Sequence, residues 1–110
     1  MSIEWMLSKD LDKLKSLLFK ESAYIALDLR GYLVSSEQFA ELFWQAVTKE
    51  GARLSFVIGG AEGLPDSILE GASKRISLSP LTFTHQLTRL ILVEQLYRSL
   101  EILKGSAYHK

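Results

Sequence analysis

The sequence contains no cysteine, which excludes disulfides and thiolate metal sites and makes a reducing compartment the default. It has no surplus of either charge, since 13 basic residues balance 13 acidic ones. Proteins that coat nucleic acid non-specifically carry a basic excess, so the balance argues against that class while leaving an RNA substrate open. No long apolar run is present; runs such as Leu90 to Val93 are far too short to cross a bilayer. No basic stretch followed by apolar residues opens the chain, so no secretion signal is evident. The chain therefore reads as cytoplasmic, with no membrane partner and no metal. What is present is ordinary for one globular domain: 110 residues, 47% hydrophobic and 24% charged, enough for a single core.

The apolar pattern predicts an amphipathic helix over residues 3–19, with Leu7, Leu11, Leu14 and Leu18 on one side. Tyr24 to Leu29 predicts a short strand that Arg30-Gly31 turns outward. Ser35 with Gln38 forms a capping box, and the helix behind it buries Phe39, Leu42, Phe43, Ala46 and Val47 up to a stop at Gly51. Leu54 to Ile58 is the second strand and runs straight into Gly59-Gly60-Ala61-Glu62-Gly63. Pro65 suits the first turn of a short helix that turns Ile68 and Leu69 inward. Arg75 to Leu78 is the third strand. A Ser-Pro-Leu-Thr loop then launches the longest helix, which ends at Gly105 and leaves residues 106–110 as a tail.

Strands separated by helices imply an α/β fold, a parallel sheet covered by helices on both faces. The last helix is apolar on more than one side: Leu87, Leu90, Ile91, Val93, Leu96, Leu100 and Ile102 cannot all face one sheet. A homodimer is expected from that second face. Ligands of open parallel sheets bind beyond the strands' carboxyl ends, where Asp28 to Gly31, Gly59 to Gly63 and Ser79 to Phe83 fall. The glycine cluster departs from the dinucleotide pattern G-x-G-x-x-G, and no Gly-Lys-Ser/Thr follows it. That weighs against a pyrophosphate site and against a small nucleotide-binding protein.

Four motifs in order carry a resemblance: Phe56 to Gly63, Ile76 to Leu87, Leu92 to Arg98, and the terminal Tyr108-His109-Lys110. Together they resemble the ribosomal RNA large subunit methyltransferase H family, of the SPOUT class of α/β-knot methyltransferases. The resemblance covers essentially the whole chain. It implies a dimeric enzyme with a trefoil knot near the C-terminus. Its expected activity is methylation of N3 of a pseudouridine in a 23S ribosomal RNA stem-loop at the subunit interface, in the large subunit or assembled ribosome. S-adenosylmethionine is the implied methyl donor. The family's donor-binding positions fall on Leu27, Gly59, Leu78, Ser79, Pro80, Leu81, Thr82 and Phe83. Members carry a further strand, helix and strand ahead of the segment matching residues 3–19. The alternative reading is a dimeric cofactor- or RNA-binding remnant without turnover.

Methyl transfer is an in-line displacement served by positioning and by removal of the acceptor's proton. His109 is the candidate base, having an ordinary pKa near neutrality, with a frayed tail as the plainer alternative. Tyr108 either stacks on the target base or simply packs. Arg98 pairs with Glu94 at i, i+4, or contacts a partner subunit or an RNA phosphate; Arg30 is a similar RNA-binding candidate. His85 is expected to cap or fix the loop rather than move protons. Trp5, Phe43 and Trp44 are expected in the core, and Glu62 as a solvated loop carboxylate. Ser79 and Thr82 are expected to shape the loop that Pro80 stiffens.

Overall fold

The computed structural model of the chain describes residues 14–15, 23–50, 54–59 and 63–105, and the side chains of 49–50 are outside that set. The elements are β1 (Tyr24–Leu33), α1 (Ser36–Glu50), β2 (Ser55–Ile58), α2 (Asp66–Gly71), β3 (Lys74–Ser77) and α3 (His85–Lys104). Of the first expected helix, only Leu14 and Lys15 are described, and both are helical. Trp5, Gly51, Gly60 to Glu62, Tyr108 and His109 lie outside the described residues.

All strand pairing is parallel, in the order β2-β1-β3, as the alternation of strands and helices implied. The central strand works by period two. Ile25 and Leu27 join Phe39, Phe43, Ile76, Leu92 and Leu96 in a core under α1 and α3. Tyr24 and Ala26 turn the other way, toward Val57, Leu64, Ile68 and Leu69, and α2 closes that face. Phe39 is almost fully buried and stacks on Phe56 with ring centroids 6.1 Å apart.

The helix boundaries follow from local chemistry. Ser35 Oγ accepts from the Gln38 N–H at 3.1 Å, while Gln38 Oε1 accepts from the Ser35 N–H at 2.8 Å. This is the expected reciprocal box, and such caps contribute about 1 kcal/mol. Pro65 sits one residue ahead of α2 rather than inside its first turn, its carbonyl accepting from the Ile68 and Leu69 N–H groups. Gly105 ends α3 in a left-handed conformation at φ 73°.

Other expectations change as well. Arg30-Gly31 does not turn the chain out of β1: the strand continues to Leu33, but out of register. Leu27 and Tyr32 both pair with Ile76, so Asp28 to Gly31 bulge between two runs of ladder. Trp44 is 52% exposed, not core. It follows Phe43 by about 100° around the helix, which carries it past the buried stripe. Leu96, one of the seven apolar residues from which a second face of the helix was expected, is buried with Leu92 and Ser99. The outward apolar residues of α3 are instead Leu87, Leu90 and Tyr97, with Leu103 near its end.

Candidate functional site

Parallel strands bring their carboxyl ends to one edge, and a cleft of about 420 Å³ opens there. Leu27 and Gly59 form its floor, and the Gly59 N–H donates to the Leu27 carbonyl at 2.8 Å, continuing the β1–β2 ladder by one residue. Leu78, Ser79, Leu81, Thr82 and Phe83 supply one wall. Seven of the eight expected donor-binding positions therefore line one cavity; Pro80 is in the same loop but not in the lining. Leu78 is available because β3 stops at Ser77, one residue earlier than its apolar pattern predicts.

Hydroxyl groups hold the loop after β3. Ser77 Oγ donates to the Ser79 carbonyl at 2.9 Å, and Ser79 Oγ accepts from the Leu81 N–H at 3.0 Å. Ser79 thus shapes the loop as expected, by binding the backbone two residues on. The cap of α3 is Thr84, whose hydroxyl accepts from the Leu87 N–H at 3.3 Å. His85 is the exposed first residue of α3, so the capping role expected of it belongs to its neighbour.

Asp28, which falls in the ligand-facing stretch expected after the first strand though not among the donor-binding positions, also lines the cleft. Its side chain is 1% exposed. One carboxylate oxygen accepts from the Leu64 N–H at 2.6 Å. The other accepts from the Arg30 N–H at 2.9 Å and from Arg30 Nε at 3.0 Å. The Arg30 guanidinium also donates to Asp66 Oδ1 at 3.0 Å and to the Leu64 carbonyl. An aspartate inside an apolar strand, with arginine two residues on, was the signal available in the sequence. Arg30 keeps about half its side chain in solvent. Arg98, 26% exposed, binds Glu94 through Nε at 2.8 Å and a terminal nitrogen at 2.7 Å.

The outer glycines of the cluster after β2 are explained by this carboxylate. A Cβ on Gly59 would lie 3.1 Å from Asp28 Oδ2, and one on Gly63 would lie 2.9 Å from the same atom. Gly63 also has φ +83°, the left-handed region. Both positions admit the Asp28 carboxylate against the backbone.

Burial opposes ionisation of Asp28. The bonds from Arg30 and from the Arg30 and Leu64 N–H groups outweigh it and hold the carboxyl below its ordinary range. A depressed folded pKa stabilises above the unfolded value, about 3.9, and that stabilisation is lost as pH falls through the folded value. Urea denaturation across pH should therefore show a constant stability gap between wild type and Asp28→Asn from neutrality to about pH 5. Below about pH 4 the gap should shrink. A gap independent of pH throughout would show that the charge on Asp28 contributes nothing.

The chain was also compared with known proteins. Residues 1–109 match the family model described as "Predicted SPOUT methyltransferase". The ribosomal RNA large subunit methyltransferase H of Protochlamydia amoebophila (strain UWE25) is 54% identical over 110 residues, which are 100% of this chain and 78% of that protein. The protein of the same name from Caldicellulosiruptor saccharolyticus is 44% identical over 110 residues, covering 99% of this chain and 70% of its own. That from Alkaliphilus oremlandii is 45% identical over 92 residues, 83% of this chain and 58% of its own. With a family model matched over residues 1–109 and a relative 54% identical across all 110 residues, the chain belongs to the SPOUT methyltransferases.

Proposed function

We propose that the cleft binds S-adenosylmethionine and that the chain methylates N3 of a pseudouridine in 23S ribosomal RNA, acting as a homodimer. The observation that carries the donor site is the convergence of Leu27, Gly59 and the Leu78–Phe83 loop on one cavity. Its chemistry fits that donor. Leu27, Leu78, Leu81 and Phe83 offer apolar faces to a planar base, and the loop offers main-chain groups to its polar edge. Among the described residues, the lining holds no cationic side chain that would pair with a pyrophosphate, and its one carboxylate, Asp28, is already paired with Arg30. The names of the relatives support ribosomal RNA as the acceptor.

Bound there, the donor supplies a methyl group on a positively charged sulfur, displaced in line with release of a neutral thioether. The protein's part is placement. The loop fixed by Ser77 and Ser79 holds the donor, and α3 carries Leu87, Leu90 and Tyr97 outward toward a second copy. His109 takes the N3 proton as the new N–C bond forms, Tyr108 stacks on the base, and Arg30 and Arg98 meet RNA phosphates with their solvent-facing sides. The trefoil threading near the C-terminus and a cytoplasmic location, where ribosomes are made and used, belong to the same reading.

Calorimetry with S-adenosylmethionine tests the site: saturable binding is expected, and no heat at millimolar donor from a folded chain would remove the proposal. Methylation of ribosomes from a strain lacking the modification tests the reaction. Donor binding with no methyl transferred would leave a binding protein in place of an enzyme.

A further inference from the structure

We propose that Asp28 is a positioning residue of the donor cleft, its carboxylate fixing where Gly63 and Leu64 stand relative to Gly59 and the end of β1. The inference rests on the cleft's being the donor site. Donor affinity then depends on a side chain that binds backbone and an arginine.

The floor of the cleft is made by the ends of β1 and β2, at Leu27 and Gly59. Past Gly59 the chain comes back beside that residue at Leu64, whose Cγ and nitrogen lie 3.1 and 3.2 Å from the Cβ position of Gly59, and none of the β1–β2 pairs fixes that return. Asp28 does, since it accepts from the Leu64 N–H at 2.6 Å while its own backbone belongs to β1. Arg30 repeats the tie from the same strand, donating to the Leu64 carbonyl and to Asp66 at the start of α2. Leu64 is thus held at both its N–H and its carbonyl. Gly59 and Gly63 both direct their missing Cβ at Asp28 Oδ2, so the carboxylate is the spacer that the two ends of the loop close upon.

Charge and acceptor count matter more than size here. Ionised aspartate has two accepting oxygens, and the structure uses both: Oδ2 for the Leu64 N–H and, at 3.4 Å, an Arg30 terminal nitrogen, and Oδ1 for the Arg30 N–H and Nε. Asparagine has the same shape but one acceptor. Its amide nitrogen would have to face either the Leu64 N–H or the Arg30 N–H groups, donor against donor. One tie breaks whichever way the amide is turned.

The test is calorimetry with S-adenosylmethionine on the full chain, at a temperature where circular dichroism shows wild type and variant wholly folded. Asp28→Asn is expected to raise the donor Kd at least tenfold, and a purely structural residue would lower the melting temperature and leave that Kd alone. Should Asp28→Asn fail to fold, Arg30→Met keeps the two backbone bonds to Asp28 and is expected to raise Kd at least threefold. The two substitutions together should cost less than the product of their separate effects, because they break one assembly. Wild-type Kd in a folded Asp28→Asn, or in Arg30→Met if that is the folded variant, overturns the proposal. Absence of binding by the wild-type chain instead overturns the donor site itself.

Discussion

Gly31→Ala should melt roughly 12 °C below the wild-type chain, a loss of about 3 kcal/mol for a domain of this size. The cause is backbone meeting backbone. A Cβ at Gly31 would lie 2.6 Å from the nitrogen and the carbonyl carbon of Ile76 and 2.7 Å from the carbonyl carbon of Arg75. Side chains can swing away from such a contact; a strand cannot, short of leaving its partner. Gly71 shows the contrast, since the atom 2.6 Å from its Cβ position is the Tyr24 hydroxyl, the movable end of a side chain. At Gly31 the relief must come from β3, which pairs with β1 on both sides of the bulge. Ser77 ends β3 and opens the loop that walls the cleft, so donor affinity should fall along with stability. Thermal melting by circular dichroism checks the first effect and calorimetry the second. A melt within about 3 °C of wild type would mean that the two strands can separate at this point for little energy.

That glycine marks where the sequence was legible and where it stopped being so. The strands, their polarity and the three helices described in full could be read from periodicity and capping chemistry, because both are local. Ser35 with Gln38, Pro65 and Gly105 each sit within a residue of the boundary that local rules assign. The donor loop was legible for a different reason, a resemblance carried by motifs, and strand polarity put the same residues on one edge. The bulge was not legible. Arg30-Gly31 looks like a turn because glycine after a charged residue commonly ends a strand, and only the pairing of both Leu27 and Tyr32 with Ile76 shows otherwise. The role of Asp28 escaped for a related reason: its partner Leu64 lies 36 residues along the chain, and sequence spacing is silent on contacts of that range. Trp44 and Leu96 were misplaced by the same limit. A helix's apolar residues do not say which of two faces the neighbouring element covers.

Gly59→Val should abolish measurable donor binding, raising Kd at least 100-fold, or about 2.7 kcal/mol. Filling the space beside a ligand is the simple account of such an effect, and here the neighbours add a second. The Cβ position of Gly59 is 3.1 Å from Asp28 Oδ2, 3.1 Å from Leu64 Cγ and 3.2 Å from the Leu64 nitrogen. A single methyl there is tight, and Ala needs those neighbours to give by a few tenths of an ångström. Valine adds two more carbons that have to go somewhere: toward Asp28 and Leu64, splitting their 2.6 Å bond, or into the cleft. Either direction removes the site, by moving its flank or by occupying its floor. Combination with Asp28→Asn tells the two apart. If valine acts through the carboxylate, the double variant should bind no worse than Gly59→Val alone, whereas a steric block in the cleft would add to the loss of Asp28. Wild-type affinity in Gly59→Val would contradict both routes, since each requires the valine to disturb either the Asp28–Leu64 bond or the cleft.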